Sequence, residues 1–253
     1  MPASTRSIRP SALTAACLSL AVARRQLVLS LQPRVDCRTR SVCGAEASLY
    51  LRHPRLGRLA LQRHRPLAEQ AGLAVELDHW MLDAACRQLE QCRAEGASAW
   101  TISVPLSMST LQAPGFQGRV CSALGHSGLP ASRLILCLPK SAALAGSDAH
   151  RQAFSLLGMG VQLSMGEPDE TDAALAWLPS ALLHEISIPR SLICALDRCV
   201  IARATVASLI SEWQRAGLRV SAGGVIREEQ HMLLATLGCD TAQGAFYGHL
   251  PWR

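Results

Sequence analysis

Aromatic side chains make up only 4% of the 253 residues, and charged ones only 17%. Scarce aromatics leave no run of stacking platforms of the kind that holds single-stranded nucleic acid. Low charge beside 49% apolar residues excludes a disordered chain, because there is ample surface to bury. The ten cysteines include no CxxC pair, and most lie in apolar segments, where cysteine packs as a small hydrophobe. A chain this long and this poor in loops is not a disulfide scaffold, and a reducing cytoplasm is the compartment its cysteines suit. Several chemistries lack their signatures: there is no GxGxxG after a strand, no phosphate loop GxxxxGK followed by Ser or Thr, no HExxH and no GxSxG.

The net charge of +6 permits attraction to anionic partners without identifying one. Its densest basic run, Arg52, His53, Arg55, Arg58, Arg63, His64 and Arg65, has no aromatic residue interleaved. It reads as a solvated loop, and direct nucleic-acid binding is not expected. The N-terminal RSIRPSALTAACLSLAVARR has features of a secretory leader, but Thr14, Ser19 and the pair Arg24 and Arg25 interrupt its apolar run. With Ser11 as N-cap it reads as an amphipathic first helix. No other segment is long enough to span a bilayer. Residues 1–10 read as a loose tail and 11–253 as one domain, with no linker or short-period repeat between them.

Apolar, β-rich runs recur at LVLSLQP, VCGAEASLYL, AWTISVPLS, RLILCLP, GVQLSM, LLHEISI and LRVSAGGV. Amphipathic stretches separate most of them, including PLAEQAGLAVELDHWMLDAACRQLEQCRAEG, TDAALAWLP, CVIARATVASLISEWQRAG and REEQHMLLATLG. Strand and helix in alternation give an α/β protein with a parallel sheet, either doubly wound or closed into a barrel. Glu46 is out of place in such a strand, because a carboxylate among apolar neighbours needs a metal, a cation or several N–H donors.

The segment GAEASLYLRHPRLG resembles the signature of the EAL domain, the family of cyclic-di-GMP phosphodiesterases, in which Glu-Ala-Leu precedes His-Pro. Glu46, Ala47, His53 and Pro54 match it. The likeness continues in order and spacing from about Ser11 to Pro251, through LQP, PLAEQAGL, LDHWMLDAACRQ, ISVPLSMSTLQAPGF, LPSALLHEISIPRSLI and GLRVSAGGVIREEQHMLLATLGCDTAQGAFYG. It implies a TIM-like (β/α)8 barrel with one antiparallel strand. It also implies a site at the C-terminal ends of the strands, where two divalent metals would activate water against a phosphodiester.

Two dications need several charged oxygens around them. The resemblance implies that few remain. The family's asparagine falls at Pro105, and the two glutamates of its next strand at Cys137 and Lys140. Its paired aspartates fall at Gly166 and Glu167, in a loop rewritten as GEPDET. Its lysine and aspartate fall at Ser187 and Pro189, and its last two acids at Gly223 and Ile226. The remnants are Glu46 and Glu167 from the metal set, with Gln32 and Gln243 from the nucleotide-binding set. No cofactor is therefore expected, nor hydrolysis. Cyclic-di-GMP binding is expected to be weak or absent, because Tyr50 stands where the family has a phosphate-pairing arginine.

Degenerate members of the family regulate gene expression, motility or virulence by contacting transcription factors. The resemblance thus implies a regulator working through a protein partner, with a non-hydrolysing cyclic-di-GMP receptor as the alternative. Family barrels self-associate, which implies a homodimer, although the loop that couples dimer and site is the rewritten one. Glu46 itself is expected to be held by Lys140, ordered water or backbone donors.

Overall fold

The structure is a computed structural model that describes residues 15–24, 26–53, 57–139, 147–166 and 183–248. Its strands arise from simple alternation. In β1 (Leu27–Asp36), Leu27, Leu29 and Leu31 join the apolar core, which leaves Ser30, Gln32 and Arg34 for the opposite face. In β2 (Val42–His53), Ala45, Ala47, Leu49 and Leu51 join the same core, while Glu46, Ser48 and Tyr50 take the other side. The remaining barrel strands are β4 (Thr101–Pro105), β5 (Leu134–Leu138), β6 (Gln162–Met165), β7 (Glu185–Ile188), β8 (Arg219–Ala222) and β9 (Thr241–Ala242). Each continues the rule: Ile102, Val104, Leu136, Leu163, Ile186 and Val220 are fully buried members of the core.

The strands run in the order β1-β9-β8-β7-β6-β5-β4-β2, and pairing of β1 with β2 closes the ring. β1 is antiparallel to both of its neighbours, and every other neighbouring pair around the ring is parallel. The closed barrel with one antiparallel strand is thus found, and the doubly wound alternative is not. Among the described residues, no helix is long and apolar enough to cross a membrane.

Helices cover the outside. α3 (Ala74–Ala94) turns Leu77, Met81, Ala85 and Leu89 inward at a spacing of one turn, with Glu76 in its first turn and Arg93 in its last, as the helix dipole favours. α5 (Phe116–Ser127), α6 (Ser147–Gly158), α8 (Val200–Arg215) and α9 (Glu228–Thr236) fill corresponding places between later strands, and α1 (Ala15–Ala23) buries Leu18 and Ala21.

The amphipathic stretch beginning at Pro66 forms two helices: α2 (Arg65–Gln70) ends before Gly72, whose φ of +68° turns the chain into α3. One sequence expectation is corrected: the basic run is not a loop. Arg52 and His53 belong to β2, Arg58 to β3 (Gly57–Ala60), and Arg65 opens α2 beside Asp78. Pairing of Arg52 with Arg58 and His53 with Gly57 gives these residues backbone partners that a composition argument does not reveal. The stretch TDAALAWLP, Ser11, and all of GEPDET but its Gly166 lie outside the described residues.

β1 occupies one edge of β2 along nearly its whole length, so β3 and β4 share the other edge. β4 pairs at Gly44 to Glu46 and β3 at Tyr50 to His53. The β2–β3 hairpin therefore rises beyond the C-terminal end of β4, over the rim of the barrel.

Candidate functional site

The inward positions on β1 and β2 meet in register, with Gln32 directly opposite Glu46. From β9, the Gln243 amide reaches the same place and donates to the Glu46 carboxylate at 2.6 Å. Three of the four expected remnants thus converge on one point. The fourth, Glu167, and the expected partner Lys140 lie outside the described residues. Among the described residues, the Gln243 side-chain amide is a partner of Glu46.

Gln243 is held there by the backbone around it. Its N–H donates to the Ala222 carbonyl and its carbonyl accepts from Val225 N–H, tying β9 to the turn that leaves β8. Gly244 makes the approach possible: at φ +155°, a Cβ would lie 2.1 Å from the Val225 carbonyl oxygen. The paired glycines lie in the loop that leaves β8, with Gly224 at φ +82° against Arg190. The loop beyond it is fixed by Arg227, which grips Asp197 at 2.7 and 2.6 Å, and by Gln230, which accepts from Ile226 N–H at 2.9 Å.

On the facing side, the turn after β4 hangs on the buried carboxylate of Asp78. It accepts from Ser107 N–H and the Thr110 hydroxyl, each at 2.7 Å, and from Arg65 at 3.1 Å. Pro105 precedes this turn and pairs with Cys137 across β4 and β5.

Cys137 lies inside the wall rather than at a reactive edge. Burial pushes its thiol up to about 12, with the Glu46 carboxylate adding to the rise. The hydroxyls of Ser187 and Ser221 share a hydrogen bond of 2.7 Å. Ile226 is about half exposed, and Pro189 caps the short helix α7 (Arg190–Ala195). Among the described residues, no group of three or more His, Cys, Asp and Glu is arranged to hold a metal ion.

Two features escaped the sequence. First, the barrel interior holds a buried ion pair. Arg34, on the face of β1 that also carries Gln32, donates to the Glu185 carboxylate from β7 and to the Thr241 hydroxyl at 3.1 Å. Burial opposes its charge, yet Glu185 and Glu46 outweigh that and hold the Arg34 guanidinium above its ordinary value. Glu46 therefore feels the positive charge of Arg34 within the barrel. The signal was available, because Arg34 and Glu185 each interrupt an apolar run as Glu46 does. Second, the Arg58 guanidinium sits 4.7 Å from the centre of the Tyr50 ring, over the rim. The resemblance implies an arginine at the Tyr50 position, and the neighbouring strand brings a guanidinium over the Tyr50 ring.

The EAL domain model matches residues 15–249. Similar proteins include the bifunctional diguanylate cyclase/cyclic di-GMP phosphodiesterase MucR of Pseudomonas aeruginosa, 34% identical over 232 residues, which are 91% of this chain and 34% of MucR. The oxygen sensor protein DosP of Escherichia coli is 28% identical over 97% of this chain and 31% of its own length. This chain thus spans about one third of the length of these two curated relatives. An uncharacterized protein of Mycobacterium tuberculosis is 31% identical over 90% of this chain and 76% of its own. Among solved structures, the MucR phosphodiesterase in its c-di-GMP complex superposes with a TM-score of 0.86 at 33% identity, over 92% of this chain and 96% of that one. The FimX EAL domain of Pseudomonas aeruginosa, bound to c-di-GMP, reaches 0.78 at 22% identity over 91% and 93%, a likeness of fold alone. The barrel with one antiparallel strand, the Glu-Ala segment on its second strand and the family match over nearly the whole length agree: this chain belongs to the EAL domain family.

Proposed function

We propose that this EAL domain does not hydrolyse cyclic-di-GMP and acts as a regulator by contacting another protein, in the control of gene expression, motility or virulence. The observation that carries the reading is the composition of the C-terminal rim. Pro105, Cys137, Gly166, Pro189, Gly223 and Ile226 occupy six positions where the family resemblance places oxygen ligands. None of these side chains offers an oxygen. Two hard dications held close together need several carboxylates to offset their repulsion. At these described positions Glu46 is the carboxylate available, and the Gln243 amide and the Arg34 guanidinium already compete for its charge. The donor set does not fit the metal pair, and no hydrolytic step is derived through it.

A protein-contacting role draws support from the same end of the molecule. Val200 and Ile201 open α8 with 78% and 77% of their surfaces exposed, beside the Asp197–Arg227 clamp that fixes the rim loop. A transcriptional regulator is the partner class that the resemblance suggests.

The test is hydrolysis of cyclic-di-GMP in Mn²⁺ and in Mg²⁺, followed by calorimetric titration of the same sample. Turnover at the background level, unchanged by Glu46→Ala, is expected, as is little or no heat at high micromolar nucleotide. Turnover that disappears in Glu46→Ala would overturn the proposal.

A second reading, a non-hydrolysing cyclic-di-GMP receptor, rests on the convergence of Gln32, Glu46 and Gln243 and on the Arg58 cation over Tyr50. Tight binding without turnover would select it over the first.

A further inference from the structure

At the opposite end of the barrel, the first residues of the parallel strands surround a cavity of about 220 Å³. Thr101, Gln162, Glu185, Arg219 and Thr241 open β4, β6, β7, β8 and β9 respectively, and all line it. Two buried polar atoms in its lining have no hydrogen-bond partner among the described residues: Nη1 of Arg34 and Oε1 of Gln162. Arg34 is only 3% exposed, so its unused donor cannot turn to bulk water. Arg133 and Arg219 complete the lining from β5's leading turn and from β8.

We propose that this N-terminal mouth binds a small phosphate dianion that also presents a hydroxyl, either inorganic phosphate or a compact phosphate monoester whose alcohol part keeps a free hydroxyl. The charges balance. Three guanidiniums, Arg34, Arg133 and Arg219, stand against the single carboxylate of Glu185, which leaves two positive charges for a dianion. Burial keeps the His184 imidazole below its usual range, so it adds none.

The hydrogen-bonding roles match as well. Phosphate oxygens accept from the unused Arg34 Nη1 and from the two arginines nearer solvent, since guanidinium forks suit such oxyanions. Inorganic phosphate near neutrality keeps one hydroxyl, and that proton is donated to Gln162 Oε1, the buried acceptor without a donor. The cavity opens at the end of the barrel opposite the C-terminal rim, and Arg34, which lines it, also feels the charge of Glu46; the proposal does not rest on the reading of that rim.

The test is thermal unfolding of the full chain at pH 7.5 in phosphate, in sulfate and in chloride at matched ionic strength, with ³¹P line broadening as a direct readout. Phosphate is expected to raise the midpoint and sulfate to bind at least fivefold more weakly, because sulfate has no hydroxyl for Gln162. Glycerol phosphate distinguishes the two sources: binding as strong as that of phosphate assigns the site to esters, and weaker binding to the free ion. Arg133→Ala and Arg219→Ala alter the less buried members and leave the Arg34–Glu185 pair in place. Each is expected to weaken phosphate at least fivefold, while Arg203→Ala on exposed α8 leaves it unchanged. Equal midpoints in phosphate and chloride, or wild-type phosphate binding by the Arg133→Ala/Arg219→Ala double variant, would overturn the proposal.

Discussion

The Gln243 amide donates to the Glu46 carboxylate at 2.6 Å, so a residue of β2 and the residue that follows β9 hold each other inside the barrel. A hydrogen bond to a charged acceptor is worth more than a neutral one, and its loss leaves that charge less well satisfied. Gln243→Ala is therefore expected to destabilise the fold by about 1–2 kcal/mol in urea unfolding. Glu46→Ala should cost less when Gln243 is already alanine, and a double-mutant cycle measures that coupling. Strictly additive losses would show that the contact carries no stability.

The Arg34–Glu185 pair is a larger liability. Both side chains are almost wholly buried, so either charge left alone loses its counter-ion where water does not replace it. Arg34→Met or Glu185→Leu alone is expected to cost about 3–5 kcal/mol by urea denaturation. The double variant should recover at least half of the summed loss, since two apolar side chains remove both desolvation costs. It should not recover everything, because Glu46 also loses a neighbouring cation. A double variant as unstable as the sum would argue that the pair fixes the strand arrangement.

Acid should weaken the fold in a range that histidine titration explains. Arg40 donates to His231 Nε2 at 3.0 Å, which leaves the ring proton on Nδ1 to be donated to the Tyr247 hydroxyl at 2.8 Å. Burial, then Arg40, holds the His231 imidazole below its usual range. Burial does the same for His79 and His184. A histidine whose folded value is depressed contributes stability above its unfolded value near 6.5 and loses it as pH falls through the folded value. The urea midpoint is thus expected to drop between about pH 7 and 5. His231→Gln should flatten that slope; an unchanged slope would assign the dependence to the other two.

The fold was legible because periodicity and family likeness pointed the same way. Alternation in LVLSLQP and VCGAEASLYL marks strands with one apolar face, and the structure builds β1 and β2 from them. The closure of the sheet was not legible from the pattern alone, since β–α alternation suits an open sheet equally. Gln32, Glu46 and Gln243 were singled out from the sequence, but the pairing of Gln32 with Glu46 and the bond from Gln243 depend on strand register and on the backbone space that Gly244 leaves, which spacing does not encode. Arg34 with Glu185 was missed because each partner lies 151 positions from the other. Arg58 was taken for part of a loop because its strand is only four residues long and lies within a basic stretch. Only pairing with β2 makes that segment a strand.

Cysteine reactivity offers a direct check on how closed the rim wall is. Cys121 and Cys194 are exposed, whereas Cys86 is buried and Cys137 lies within the barrel wall. Burial raises both the Cys86 and Cys137 thiols to about 12. Alkylation requires the thiolate, so a rise of that size lowers the reactive fraction at pH 8 by about a thousandfold relative to an ordinary thiol near 9, before steric protection is counted. Brief iodoacetamide treatment is expected to modify Cys121 and Cys194 and to spare Cys86 and Cys137 until urea is added, as read by peptide mass spectrometry. The result at Cys137 bears on metal chemistry too, since a thiol must ionise before it can hold a soft metal. Rapid native labelling of Cys137 would mean that the wall opens beside Glu46, and a thiolate donor would then have to be added to the rim.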